Sequence, residues 1–379
     1  MNRHIKALDG LRAFAVTLVM LYHFGTYKFG GLTVEIGWVG VQLFFVLSGF
    51  LITQILLADR EQALGQYLKR FYWRRSLRIF PLYFAYLFLV TGIYVVSKQP
   101  VNFVSQAPLL FSYTYNFSLL AGVWYHSALL THLWSLSVEE QFYLVWPFLI
   151  YFLPLPWLKR LVVVLVLAGP LFRWWLAGWI GAMLPAAEAD EAIYWFTLSH
   201  LDAFATGAAL VVLGRNLQPA QVKGWLWAAL ALCAGAGLAN RWGWPGSEPL
   251  DWSSLGYPIA QLQNYQHLWS YSLLNIASAL IILWATQLGA NHWLAGRVFT
   301  ALGKVSYGMY VYHWGLLAMM ARLYGKLGGE QWGWIGAILF FAVYYAALYG
   351  VSYASFYFLE VKFINLKDRY FKKVTVSQS

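Results

Sequence analysis

Apolar runs about as long as a bilayer-crossing helix recur from one end of this chain to the other, and that recurrence limits the fold most. They lie near residues 8–26, 37–57, 80–96, 133–153, 161–183, 196–213, 224–239, 267–287, 300–323 and 333–359. Only 11% of the 379 residues are charged, against about 25% in an average soluble chain. The pattern predicts an all-α, polytopic membrane bundle of about ten transmembrane helices, forming a single domain over 1–379. The first run leads straight into others without a small-residue cleavage site, so no cleavable signal peptide is expected. Cys233 is the single cysteine, which excludes disulfides and thiolate metal sites within one chain. No metal and no bound cofactor are expected.

Segment 105–131 is apolar but broken by small and polar residues, and charge decides its role. If it spans, Lys159 and Arg160 fall outside and every later loop inverts. If it is re-entrant or interfacial, the inner face collects Arg3, Lys6, a basic loop 58–79, Lys159, Arg160, Arg215, Lys223, Arg297 and a short tail of about 361–379. The outer loops then hold Lys28, Lys98, Arg241 and Lys326 against Glu35, Glu188, Asp190, Glu191, Glu248, Asp251 and Glu330. That is the positive-inside pattern, with both termini in the cytoplasm. The net charge of +11 thus reports topology and contact with anionic lipid, and no nucleic-acid partner is expected. The outer loop near 240–266 is rich in Trp, Pro, Gly, Asn and Gln. Such a surface suits a sugar-like ligand, and it suits an interfacial aromatic belt equally well.

Polar residues inside the spans are the candidate chemistry. In LDGLRAFAVTLVMLYHF, residues 8–24, Arg12 and His23 are eleven positions apart, or roughly three helical turns and 16 Å on one stripe. Each alone can snorkel to an interface; two on one stripe suggest a shared polar path. On that stripe, Phe14 and Val19 point elsewhere and should tolerate conservative exchange. The segment YLKRFYWRRSLRIFPLYF places Arg70, Arg74 and Arg78 four apart, with Arg75 three before Arg78. An arginine face there is either a phosphate clamp or a headgroup contact. In THLWSLSVEEQFYLVWP, residues 131–147, His132, Ser135 and Glu139 share a face, whereas Glu140 points about 100° away. Arg173 is a possible helix-to-helix partner for such a carboxylate. Ser306, Tyr310 and His313 share a face of GKVSYGMYVYHW. In this topology His23, Glu139, Arg173, Asp202 and His313, from five spans, fall in the central-to-outer part of the core. Snorkelling would place them at the rims, so one buried polar site is expected.

Together these stretches resemble the acyltransferase family 3 of integral membrane O-acyltransferases, the O-antigen and exopolysaccharide acetylase type. The matching pieces, in the family's order, are LDGLRAFAV with LYHF, VGVQLFFVLSGFLIT, RRSLR, HLWSLSVEEQFYLVWP, GKVSYGMYVYHW and a closing SYASFYFLE. The chain departs from the pattern after Glu360, where no proline follows, and the fused hydrolase-like domain of some members is not expected. The resemblance implies transfer of an acyl group, most often acetyl, from cytoplasmic acyl-CoA to a carbohydrate or lipid-linked glycan at the bacterial inner membrane. It places Arg12 and His23 on the acyl-transfer path and Arg75 and Arg78 at the donor. His23 is then expected as general base or transient acyl carrier, with Glu139 balancing an imidazolium and Arg12 steadying the donor. Arg173, Asp202, Ser306, Tyr310 and His313 are expected to bind substrate. The competing reading is a proton-coupled transporter or flippase, with the same groups as a relay. The cytoplasmic arginine pair and the lack of internal repeats argue against it. A third reading, a scaffold in a polysaccharide assembly, requires none of these groups to react.

Overall fold

The computed structural model describes residues 5–97, 103–214, 217–242, 251–259, 262 and 265–366. Arg3, Lys98, Arg215, Glu248, part of the 240–266 loop and the tail beyond 366 lie outside them, as does the Glu330 side chain. The described residues form helices and no strand. In chain order the helices are α1 (Lys6–Thr26), α2 (Val39–Asp59), α3 (Leu64–Val96), α4 (Ala107–Phe111) and α5 (Trp134–Phe152). There follow α6 (Leu155–Gly181), α7 (Ala186–Trp195), α8 (Leu201–Val212) and α9 (Pro219–Trp242). The last are α10 (Gln266–Thr286), α11 (Arg297–Lys304), α12 (Ser306–Lys326) and α13 (Gly333–Ser355).

Among the described residues, seven helices are long and apolar enough to cross a membrane: α1, α2, α3, α6, α9, α10 and α13. The pair α7 and α8, bent by 62°, makes an eighth. Helices α5 and α12, of 19 and 21 residues, are as long but more polar, because they carry the residues of the site described below. Helical runs therefore stand at all ten expected places, in a multi-pass membrane protein. Segment 105–131 forms no spanning helix. Its longest helix is the five-residue α4, and it folds back on the bundle. The Tyr83 hydroxyl donates to the Leu110 carbonyl at 2.8 Å, and the Gln141 amide donates to Asn116 at 2.8 Å.

Two boundaries differ from expectation. The basic loop 58–79 is mostly helix: α3 begins at Leu64 and runs 33 residues, about 50 Å. That exceeds a hydrocarbon core of about 30 Å, so its arginine-rich first half extends beyond the apolar layer. The expected tail is also shorter, since α13 passes through a π-helical turn, Phe356–Glu360, and continues to Leu366.

Helices α1 and α2 sit at the centre. Burial covers 61% of the most apolar stretch of each, against 22% in α6, whose Leu167, Leu171 and Trp174 face outward. The tightest packing joins α2 to α8 through glycines. A Cβ on Gly207 would lie 1.9 Å from the Val46 carbonyl oxygen, and one on Gly49 would lie 2.0 Å from that of Phe204. Such close approach is how membrane helices gain contact without a hydrophobic drive between them. Gly207→Val is therefore expected to lower the melting temperature in detergent, through overpacking of about 1–3 kcal/mol. An unchanged melting temperature would mean that α2 and α8 can part freely.

Candidate functional site

Arginines on α1 and α3 and carboxylates on α5 meet around one cavity of about 190 Å³. Its wall includes Arg12, Arg75, Arg78, Glu139, Ser306 and Tyr310. Arg12 donates through Nη1 to Asp9 at 2.8 Å, one turn earlier on α1. Ser48, from α2, donates to Glu139 Oε1 at 2.8 Å and accepts from the Tyr143 hydroxyl at 3.1 Å. The Arg75 guanidinium lies over the Tyr143 ring, 4.2 Å from its centroid. A fixed carboxylate thus stands among three guanidinium groups. A second hollow of about 230 Å³ shares Ile52, Ile55, Arg75 and Arg78 with the first and adds Arg70 and Arg74. The two hollows therefore adjoin along α3, with Arg75 and Arg78 bordering both. Arg70 is paired with Asp59 at 3.3 Å.

Tyr310 joins the wall of the first cavity to a cluster of rings behind it. Its hydroxyl donates to the His132 carbonyl at 2.9 Å and shares a hydrogen bond with Ser135. Its ring lies 5.8 Å from that of His132 and 5.4 Å from that of His313. His313 is in turn 4.8 Å from both His132 and His23, and His23 packs 4.2 Å from Trp314. Three imidazoles from α1, α12 and the turn before α5 therefore lie behind a tyrosine on the cavity wall.

The hydrogen bonds set two tautomers. His132 donates from Nε2 to the Val311 carbonyl at 3.0 Å, and His313 donates from Nδ1 to the Tyr310 carbonyl. In the neutral rings the other nitrogen then carries a lone pair. His132 Nδ1 and His313 Nε2 are both buried without a partner, as is His23 Nδ1. Buried polar atoms are nearly always paired in folded proteins, so three orphans in one cluster mark a place for a reacting or bound group.

The single polar site expected from sequence is thus divided. Arg12, Arg75, Arg78, Glu139, Ser306 and Tyr310 line the cavity, while His23 and His313 stand beyond Tyr310. Arg173 and Asp202 belong to neither group. Arg173 Nη2 pairs with Asp202 Oδ2 at 2.9 Å, and the two side chains are 0% and 1% exposed. Depth along the spans placed these two with the site, but rotation of α6 and α8 points them at each other and at Ser272 of α10. Arg173 is accordingly not the partner of Glu139. Glu140 also differs: despite its 100° offset it borders the same cavity, because the cavity wraps more than one face of α5. Glu360, in the π-helical turn packed against α3, is 3% exposed with Oε1 unpaired. Ser48 and Tyr143 were missed, although Tyr143 lies one turn after Glu139 and was within reach of spacing.

The Listeria monocytogenes peptidoglycan O-acetyltransferase OatA is 34% identical over 221 residues, covering 55% of this chain and 34% of that protein. The Staphylococcus aureus O-acetyltransferase OatA is 33% identical over 162 residues, covering 40% of this chain and 25% of it. A putative peptidoglycan O-acetyltransferase of Bacillus subtilis, YrhL, is 33% identical over 158 residues, covering 38% and 24%. The chain matches about a quarter to a third of the length of these relatives. No solved structure matches it. A family profile described as an acyltransferase domain matches residues 5–357, through both the arginine-lined cavity and the imidazole cluster. The chain belongs to the acyltransferase 3 family.

Proposed function

We propose that this protein moves an acetyl group from acetyl-CoA, bound at the arginine-rich end, to a carbohydrate hydroxyl presented at the other end. The observation that carries the reading is the pair of adjoining hollows: Arg70, Arg74, Arg75 and Arg78 border one, Arg75, Arg78, Glu139 and Tyr310 border the other, and three imidazoles stand behind Tyr310. Guanidinium forks match phosphate oxygens, so the diphosphate end of the donor would sit at the mouth. The narrow inner part would hold the pantetheine arm, with the thioester near Tyr310. Loop charges support a cytoplasmic mouth, cytoplasmic termini and residence in a bacterial inner membrane.

In the transfer step the acceptor O–H gives its proton to an imidazole nitrogen of the cluster, with His23 the leading candidate. The oxygen attacks the thioester carbonyl, the C–S bond breaks, and the CoA thiolate leaves and takes up a proton. Should His23 carry the acyl group instead, its nitrogen attacks first and the acceptor oxygen second. Glu139, held by Ser48, offsets positive charge along this path. The relatives' names make peptidoglycan the acceptor class to try first.

The test is labelled acetyl-CoA supplied to the cytoplasmic face of membrane vesicles. Label arriving on a glycan supports the enzyme; binding of acetyl-CoA with no transfer to any acceptor favours the transporter reading. Arg75→Ala and Arg78→Ala are each expected to weaken acetyl-CoA binding in detergent by on the order of 1.5–3 kcal/mol, one charged hydrogen bond. Unchanged affinity in the double variant would return these arginines to lipid headgroups.

A further inference from the structure

A second, larger cavity lies at the opposite end of α1. It measures about 790 Å³ and is bordered by Tyr27, Lys28, His126, Arg322 and Tyr324. Tyr27 comes fifteen residues after Arg12, about 22 Å further along the helix direction. The volume is within the range of ordinary ligand sites. We infer that this cavity is the acceptor subsite and that it selects a glycan bearing an anionic group, a carboxylate or a phosphate. The inference rests on the transfer reading above and adds a substrate class to it.

Two features support it. First, the wall carries two permanent cations, Lys28 and Arg322, and no carboxylate among the described residues. Among the described residues neither cation makes an ion pair, although Glu35 and Asp251 lie within the electrostatic reach of Lys28. Arg322 is thus the cleaner anchor for an anion, with a planar fork suited to carboxylate or phosphate. Second, the cavity adjoins the imidazole cluster. The His126 ring is 5.5 Å from Trp314, which packs 4.2 Å from His23. Arg322 and the lining residue Ala318 follow Trp314 by eight and four positions, on one face of α12. An acceptor held by Arg322 is therefore aligned along α12 with the orphan nitrogens.

The test separates charge from shape, using one glycan. Binding of a fluorescent N-acetylglucosamine–N-acetylmuramic acid tetrasaccharide is measured in detergent without donor, with its carboxyls free or methyl-esterified. A parallel arm uses a polyprenyl diphosphate disaccharide, to tell a sugar carboxylate from a lipid-linked diphosphate as the source of the anion. The free acid or the diphosphate is expected to bind on the order of 10-fold tighter than the ester, one charge-assisted contact. Arg322→Ala should erase that preference and leave ester binding unchanged, and Arg322→Glu should reverse it. Equal binding of the neutral ester and both anionic probes, or an anionic preference that survives in a folded Arg322→Ala or Arg322→Gln protein, overturns the inference. Because no donor is present, a protein that binds the anion selectively but never transfers acetyl would sink the transferase reading alone.

Discussion

His23→Ala is expected to reduce acetyl transfer by about 10²–10⁴-fold, the usual contribution of a positioned general base. His23→Gln should not restore it, since an amide can hydrogen-bond but cannot take a proton at neutral pH. The structure adds a sharper variant. The His23 ring packs against Tyr22, His313 and Trp314, so alanine also opens a gap among rings. His23→Phe keeps a ring in that place and removes only the nitrogens. It should melt near the parent temperature and transfer as poorly as His23→Ala. Phe14 is 45% exposed on the same helix and is a sound neutral control. Val19 is not, because it is buried within contact distance of Gly40, contrary to the stripe argument. The assay is initial-rate transfer of labelled acetyl beside a melting curve for each variant. Full activity in a folded His23→Phe protein would move the chemistry to His132 or His313, whose free nitrogens face the same cluster.

Much of the architecture was legible because it rests on local rules. A bilayer demands about twenty apolar residues per helix, and the spans could be counted from hydropathy. Helical spacing placed Arg75 and Arg78 together, and likewise Ser306 and Tyr310, since residues three or four apart share a face whatever the fold. What spacing could not supply was the rotation of one helix against another. Arg12 and His23 do share a stripe of α1, but Arg12 opens on the arginine-lined cavity while His23 is screened from it by groups of α12 and α5. The link between them, Tyr310 with Ser135, comes from two segments 175 residues apart. One helix break was equally hidden: the stop between α11 and α12 at Val305 falls inside the expected span 300–323. Depth alone then grouped Arg173 and Asp202 with the site, where three-dimensional packing separates them.

That separation predicts a large stability effect with little effect on transfer. Arg173 is fully buried, and its guanidinium donates to Asp202 at 2.9 Å, to Ser272 at 2.7 Å and to the Ser199 carbonyl at 2.8 Å. Ser272 also donates to the same Asp202 oxygen at 2.7 Å, closing a ring of charge and hydrogen bonds between α6, α8 and α10. Gly169 gives the carboxylate its room: a Cβ there would lie 2.5 Å from that of Asp202. Removing one partner of a buried pair leaves an uncompensated charge, which costs about 3–5 kcal/mol. Asp202→Ala should therefore unfold at a markedly lower temperature or denaturant concentration. Replacing both partners by apolar residues of similar volume should recover most of the loss, because the desolvation cost vanishes with the charges. In the Arg173→Met/Asp202→Leu protein, acetyl-CoA affinity and transfer per folded molecule should stay close to the parent values. A well-folded double variant that no longer transfers would instead place this pair on the substrate path, as its depth along the spans first suggested.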